Sequence, residues 1–373
     1  MNILIVKTGP EKGIFEKIKK HSNTISLDVP EYPTILNKLY LMLNRMHHEV
    51  TILDEMHDTH IGNLENMQDL VIVYSRQYDY KHIKQIRNII NNDIPVIVFS
   101  YNVCSNPLLF INDLKDNLYF AYGEIEPIIS CIKDTNMHSC PNIFYKINDK
   151  VTVNDRVYAN LDSLPIPDFE NPQIKNYVKF NKYIPIEFSR GCNYHCNHCP
   201  THYFYGADVR RVSTNHIHET LHSYRNSTEG YDTICSIVDN NIINDMDWFR
   251  SLLKGLKKLD INWTCRLRPD WVTQKITNLL STHNCKEVIL SADVIYDYEP
   301  ALSTFLNKII TLKDLRNASK MLENVGINVS LYFIVGMYSN PKKMILEVVE
   351  MCKADRILLT SYVRKYENYK NPH

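Results

Sequence analysis

Ser189-Arg190-Gly191-Cys192-Asn193-Tyr194-His195-Cys196-Asn197-His198-Cys199-Pro200 gathers three of the chain's ten cysteines into one short run, spaced C-x3-C-x2-C. Ile184-Pro185-Ile186-Glu187-Phe188 leads into it and reads as a short buried strand. Gly191 permits a turn that a residue with a Cβ would resist. The pattern therefore predicts a cysteine loop leaving the end of a strand. Three soft thiolates on such a loop can hold three irons of a four-iron cluster and leave the fourth iron open to chelation by a small molecule. The alternative is a zinc site completed by His195, His198 or His202. Structural zinc sites more often pair cysteines as C-x2-C with a distant second pair, and the sequence has no second pair. An open iron points to an enzyme.

Working outward, 373 residues suffice for two domains, and 44% apolar content lets each bury a core. Lys+Arg and Asp+Glu balance at 42 each, so no net field favours nucleic acid or an anionic membrane as a partner. Nothing resembles a signal peptide, and no apolar run approaches the roughly 20 residues that span a bilayer. The expectation is a cytoplasmic chain with reduced thiols. Only ten glycines are present and none form G-x-G, which excludes a P-loop and a dinucleotide fingerprint.

Residues 1–135 alternate apolar runs at 2–6, 49–53, 69–73, 95–99 and 118–121 with amphipathic stretches at 34–45, 82–90, 107–114 and 126–131. That alternation predicts a parallel, doubly wound α/β sheet, whose ligands bind beyond the carboxyl ends of the strands. Ser75, Tyr101 and Gly123 stand at those ends and are candidate cofactor contacts. Residues 136–183 form a connector that opens with a hairpin, 143–147 and 150–153 around Asn148-Asp149, and continues as a proline-stiffened linker. From 184 to 373 strands are expected at 184–188, 233–238, 262–266, 287–290, 328–335 and 356–360. Helices are expected at 214–224, 246–257, 271–281, 312–324 and 342–352. Six βα units cannot close an eight-stranded barrel, so an open partial (β/α)6 barrel is expected.

The cysteine loop resembles the C-x3-C-x-Φ-C motif of the radical S-adenosylmethionine (SAM) superfamily, with His198 in the usually aromatic Φ place. The first half is similar to the cobalamin-binding-type, Rossmann-like domain that precedes many of that family's barrels. Tyr122-Gly123-Glu124-Ile125-Glu126-Pro127 resembles its G-E-x-E segment, and Leu161-Asp162-Ser163-Leu164-Pro165-Ile166-Pro167-Asp168 resembles its linker. The resemblance implies a [4Fe-4S] cluster on Cys192, Cys196 and Cys199, with SAM chelating the open iron. It implies SAM contacts at Asp239 and Asn240 after the second barrel strand and at Arg268 after the third, where a methionyl carboxylate would pair. Ser291 and Asp293 after the fourth strand stand for the ribose contacts, although the family's G-I-E-S is not kept there. Ile334 and Gly336 at the end of the fifth are expected at the adenine. Lys308 is either a site residue or a solvated lysine. Cys265, near the catalytic end of its strand, is the candidate hydrogen donor.

The mechanism implied is reductive cleavage of SAM to methionine and a 5′-deoxyadenosyl radical, with an electron from a flavodoxin- or ferredoxin-type donor. The substrate would be a small molecule or a peptide. Asp58-Thr59-His60-Ile61-Gly62 is one residue short of the D-x-H-x-x-G that supplies a cobalt ligand, so any cobalamin is expected without a His ligand. Two functions stay open at this point: cobalamin-dependent methylation of an unactivated carbon, and a cobalamin-independent radical rearrangement or epimerisation. A non-catalytic zinc or cobalamin carrier module is the remote alternative.

Overall fold

The computed structural model describes residues 1–7, 25–27, 34–54, 68–74, 90, 92–100, 116–132, 137–170, 178, 181–335 and 340–361. The helical stretches expected at 82–90 and 107–114, the 58–62 segment, and Ser75, Tyr101 and Gly336 lie outside the described residues, apart from position 90.

Along the first half come β1 (Asn2–Lys7), β2 (Ile25–Leu27), α1 (Thr34–Arg45), β3 (Glu49–Asp54), β4 (Leu70–Tyr74), β5 (Val96–Phe99), β6 (Leu118–Ala121) and α2 (Glu126–Cys131). The hairpin β7 (Ile143–Ile147) and β8 (Lys150–Val153) follows. These strands, without β2, form one sheet in the order β3-β1-β4-β5-β6-β7-β8. β1 lies parallel to both β3 and β4, as a doubly wound sheet requires. Every residue of β4, β5 and β6 is buried, the pattern of parallel strands covered on both faces. Alternate residues divide between two cores. Ile3, Ile5, Ile72 and Phe99 join α1 and α2 in a cluster continuous with the second half of the chain, while Leu4, Val6, Val71 and Val98 form a separate one. The hairpin extends this sheet antiparallel through Phe120↔Phe144. Its Asn148-Asp149 turn takes positive φ at both residues, which suits a two-residue hairpin.

The second half carries β9 (Tyr183–Ile186), β10 (Ser189–Arg190), α3 (Thr201–Tyr205), β11 (Arg210–Arg211), α4 (Thr214–Thr228), β12 (Ile234–Ile237) and α5 (Met246–Lys258). It continues with β13 (Trp263–Leu267), α6 (Gln274–Thr282), β14 (Cys285–Ser291), α7 (Pro300–Phe305), α8 (Leu312–Glu323), β15 (Asn328–Val335), α9 (Pro341–Cys352) and β16 (Arg356–Ser361). Side chains of Ser213, Asp245, Thr273, Thr311 and Asn340 cap the helices that follow strands or loops, and Thr311 with Asp314 makes a full capping box.

The second sheet is parallel, in the order β2-β16-β15-β14-β13-β12-β9. All six expected strands are present. A seventh, β2, comes from the first half and pairs Ile25↔Ile357 on the outer edge of β16. The sheet curls: Arg356 on β16 lies 4.3 Å over the ring of Tyr183 on β9, although four strands stand between them in the order. Among the described residues no helix is long and apolar enough to cross a membrane.

Candidate active site

The cysteine loop leaves β9 as expected. Ser189-Arg190 pairs antiparallel with Arg210-Arg211, so a two-residue ribbon closes the loop at its base. Gly191 sits at φ +96°, and a Cβ there would lie 2.2 Å from the carbonyl oxygen of Asp208. No other residue fits without moving backbone.

Hydrogen bonds brace the loop from two sides. From the end of β12, Asn241 Nδ2 donates to Asn193 Oδ1 at 2.7 Å, and Asn240 Nδ2 reaches Thr201 Oγ1 at 3.4 Å. The same Thr201 oxygen accepts from Cys199 Sγ at 3.2 Å. From the segment after α7, the carbonyls of Leu306 and Phe305 accept from Asn197 N and Nδ2, at 3.0 and 2.6 Å. Asn307 Nδ2 donates to the His195 carbonyl at 3.0 Å.

Burial pushes the thiols of Cys192 and Cys196 up, and the positive charges of Arg268 and Lys308 pull the other way. Arg268 Nη1 stands 4.0 Å from Cys196 Sγ. Among the described residues no three His, Cys, Asp or Glu side chains gather tightly enough to hold a single metal ion. A four-iron cluster makes no such demand, because each thiolate binds a different iron. Three soft donors on a braced loop beside cationic side chains therefore fit the cluster.

Asp239, Asn240, Arg268 and Asp293 stand against this loop or its root, with Lys308 behind Asp293, several in unexpected roles. Asp239 is buried; its Oδ1 accepts from Phe188 N at 2.8 Å and its Oδ2 from Ser189 Oγ at 2.6 Å. It buckles the loop's root to β12, and burial raises its carboxyl to about 7 against those bonds. Arg268 already pairs with both oxygens of Asp270, at 3.0 and 2.9 Å, and lies 4.5 Å over the ring of Tyr194. Only its Nη1 faces the cysteines. Lys308 is not a solvated lysine: it is buried and donates to Asp293, which also takes His198 Nε2 at 3.0 Å. Burial opposes charge on Asp293, but Lys308 and His198 outweigh it and hold the carboxyl far below the usual range. Ser291 and Ile334 are half-buried at the ends of β14 and β15.

Cys265 needs correcting. With Trp263 and Leu267 it belongs to the hydrophobic core, and strand alternation puts Thr264 and Arg266 on the opposite face. Its thiol lies beside Cys285 and is driven well up by that contact and by burial. It points into the wall, away from where a hydrogen donor would work.

Inside the curl, Arg266 and Tyr332 are half-buried between buried neighbours on their strands, and Val238, Ser291 and Ile334 are half-buried at the strand ends, which describes an open lumen. Toward the start of the strands Glu287 accepts from Ser330 Oγ and pairs with Arg356 at 2.9 Å. Gly123 packs against Asn142, whose side chain bonds Glu124 O and Val157 O at 2.7 Å each.

The contact between the two halves has no local signal in the sequence. Arg190 is fully buried and pairs with Glu187 at 2.9 Å, Glu126 at 2.6 Å and Glu124 at 3.6 Å. Arg210 also pairs with Glu124, and Lys38 of α1 reaches Glu187 at 3.5 Å. Three positive and three negative side chains thus tie the G-E-x-E segment of the first sheet to the residue that precedes Gly191.

Residues 186–352 match the family model of the radical SAM superfamily. Fold, loop and match together make residues 186–352 a radical SAM domain, and the chain an enzyme; such domains use a [4Fe-4S] cluster and SAM. Two curated relatives are similar. One is cytidylyl-2-hydroxyethylphosphonate methyltransferase of Streptomyces wedmorensis, 26% identical over 48% of this chain and 35% of that one. The other is bacteriochlorophyllide d C-12(1)-methyltransferase of Chlorobaculum tepidum, 20% identical over 83% of this chain and 66% of that one. The chain thus spans about a third of the first relative and just under two thirds of the second.

Among solved structures, the radical SAM methyltransferase TsrM from Kitasatospora setae, with tryptophan substrate and a SAM analog bound, aligns with a TM-score of 0.67 at 16% identity, covering 96% of this chain and 72% of that one. The cobalamin-dependent SAM radical enzyme OxsB, with aqua-cobalamin and SAM bound, aligns at 0.70 and 17%, covering 89% and 49%. Both share the two-sheet architecture.

Proposed function

We propose that this chain is a cobalamin-dependent radical SAM methyltransferase acting on an unactivated carbon of a small molecule. One observation carries the reading. The carboxyl-edge loop of the first sheet is fastened by buried ion pairs to the root of the cysteine loop, so a ligand on that edge would face the cluster. Both curated relatives are named as methyltransferases, which supports the same reading.

When bound, the cluster, SAM and cobalamin supply the radical and methyl-transfer chemistry. The chain's own residues hold and orient. Cys192, Cys196 and Cys199 hold the cluster, and the Arg268 guanidinium balances charge beside Cys196. Asn240, Asn241 and Asn307 fix the loop. A flavodoxin- or ferredoxin-type electron donor and a cytoplasmic setting go with this reading, and neither nucleic acid nor membrane is a partner in it.

The test is to purify the protein from cobalamin-fed anaerobic cells and measure cobalt and the nucleosides formed from SAM. Near-stoichiometric cobalt with S-adenosylhomocysteine is expected. Absent cobalt, with 5′-deoxyadenosine as the sole nucleoside, overturns methyl transfer and leaves a cobalamin-independent radical modification.

A further inference from the structure

The loop that carries the three cysteines is itself part of the protein's exterior: Asn193, Tyr194, His195 and Asn197 are all exposed. Large apolar side chains stand around it. Phe305, at the end of α7, is 71% exposed, more than any other large apolar side chain among the described residues, and Ile309 follows at 58%. Tyr203 of α3 is 43% exposed. Contacts join these into one face. Asn197 Nδ2 donates to the Phe305 carbonyl, and Asn307 Nδ2 to the His195 carbonyl. The His195 ring lies 6.0 Å from that of His202, which packs at 4.0 Å against Tyr203.

Charge is missing from this face. Residues 191–207 contain no Asp, Glu, Lys or Arg, and 300–311 contain only Lys308, which is buried. An ordinary solvated surface is about 25–35% charged. Exposed aromatic side chains in a patch depleted of charge characterise the centre of a protein–protein contact.

The occupant follows from what lies behind the patch. Asn197 is the chain neighbour of Cys196, so a partner resting on Asn197 and Phe305 is separated from the cluster by the loop alone. The other seven cysteines are scattered singly and form no second cluster motif to relay an electron. The electron for SAM cleavage therefore comes from another protein, over the shortest path. Between the two donor classes the surface suits a flavin. A flavodoxin-type carrier exposes the apolar dimethylbenzene edge of its FMN, which aromatic side chains can meet face-on or edge-on. An iron–sulfur carrier keeps its cluster behind a peptide loop and presents no ring. With no carboxylate in either segment, the FMN phosphate and an acidic rim around it meet no like charge there.

We propose that Tyr203, Phe305 and Ile309 form the docking surface for a flavodoxin-type electron donor, which delivers one electron to the cluster across Asn197. The flavin hydroquinone anion gives up that electron and becomes the neutral semiquinone; the oxidised cluster takes it, and no proton moves. The inference rests on the radical SAM reading of the loop.

The experiment uses the full chain with its cluster reconstituted. Two quantities are read: the dissociation constant for a purified oxidised bacterial flavodoxin, from the anisotropy of its flavin, and the initial rate at which the reduced cluster's paramagnetic signal appears. The reductants are flavodoxin hydroquinone, a reduced ferredoxin, and dithionite, which is too small to need a docking surface. Phe305→Asp puts a carboxylate on the face and keeps the carbonyl that Asn197 uses; Tyr203→Asp does the same from α3. Val153→Asp on β8, 62% exposed in the wild type, is the control. Phe305→Asp should weaken flavodoxin binding and slow flavodoxin-driven reduction about tenfold, the scale of losing one aromatic anchor. Tyr203→Asp should act in the same direction. Dithionite should reduce every variant at the wild-type rate for equal iron content, and Val153→Asp should match the wild type throughout. Wild-type binding and rates with flavodoxin in both face variants would overturn the proposal. An equal slowing with dithionite would do so too, since it signals a damaged cluster site. So would a loss confined to ferredoxin, or a wild-type dimer that Phe305→Asp splits in sedimentation, which would give the face to a second copy. If Phe305→Asp fails to hold iron, Tyr203→Asp and Ile309→Asp decide by the same readouts. A wild type that takes up no cluster would instead refute the reading of the loop.

Discussion

Replacing Arg190 by Met tests the ion network that joins the two halves. The guanidinium is fully buried among Glu187, Glu126 and Glu124, with its carbon 5.2 Å over the ring of Tyr205. Methionine fills much of the volume and leaves Glu126, whose carboxyl burial pushes up and Arg190 holds down, without its partner. Breaking a buried pair from one side costs about 3–5 kcal/mol. Unfolding entropy of about 2.1 cal/mol/K per residue over 373 residues gives roughly 0.8 kcal/mol/K. The melting temperature should then fall by about 4–6 °C, read by scanning calorimetry on protein of equal iron content. Arg250→Met is the control: its pair with Asp247 is 2.7 Å long but largely exposed, and should cost under about 1 °C. Glu124→Gln and Glu126→Gln added to Arg190→Met should recover part of the loss, because neutral partners no longer strand a charge. An Arg190→Met protein melting within 1 °C of the control would refute the claim that this network holds the halves together.

Gly191→Ala should abolish iron incorporation, because the new Cβ meets the Asp208 carbonyl; Gly326→Ala, at φ +75° with nothing within 4 Å, should keep its iron and show the cost of backbone strain alone. The triple Cys192, Cys196 and Cys199→Ala variant should lose about four irons and all SAM cleavage together; cleavage surviving in it would sink the cluster assignment. Asp239 should make the cluster-free protein less stable as pH rises. Its folded carboxyl sits at about 7, above the unfolded value, so its contribution is complete below about pH 4 and lost on passing 7. Asp239→Asn, which mimics the protonated form, should melt with the wild type near pH 4 and above it at pH 8; melts that stay parallel across that range would contradict the assignment.

What the sequence disclosed follows the range of the interactions involved. β6, β15, α1 and the hairpin at 143–153 were readable to the residue, because apolar runs and turn residues are local signals. So was the cysteine loop. β2 was not, since three residues carry no periodicity and its partner strand lies at the other end of the chain. The expected positions of Asp239, Arg268 and Asp293 were right to the strand end, but their hydrogen-bond partners depend on which loops meet there. Arg190 meets Glu126 across 64 positions, and no spacing rule links them. Cys265 was misread despite a local cue: Trp263, Cys265 and Leu267 alternate with Thr264 and Arg266, which already assigns the cysteine to the apolar face.

The edge strand β2 bears on how such a chain can be taken apart. Because β2 belongs to the barrel sheet while β1 and β3 belong to the other, the backbone crosses between the sheets before either is complete. Cutting the gene near residue 135 would leave a barrel fragment missing its outermost strand and a leading fragment carrying an orphan one. Grafting a foreign leading domain would need three things at once: a short strand to cover β16, and carboxylates where Glu124 and Glu126 meet Arg190. Shuffling experiments on this chain should therefore recover function only from crossovers that keep residues 25–27, 124–126 and 190 from the same parent.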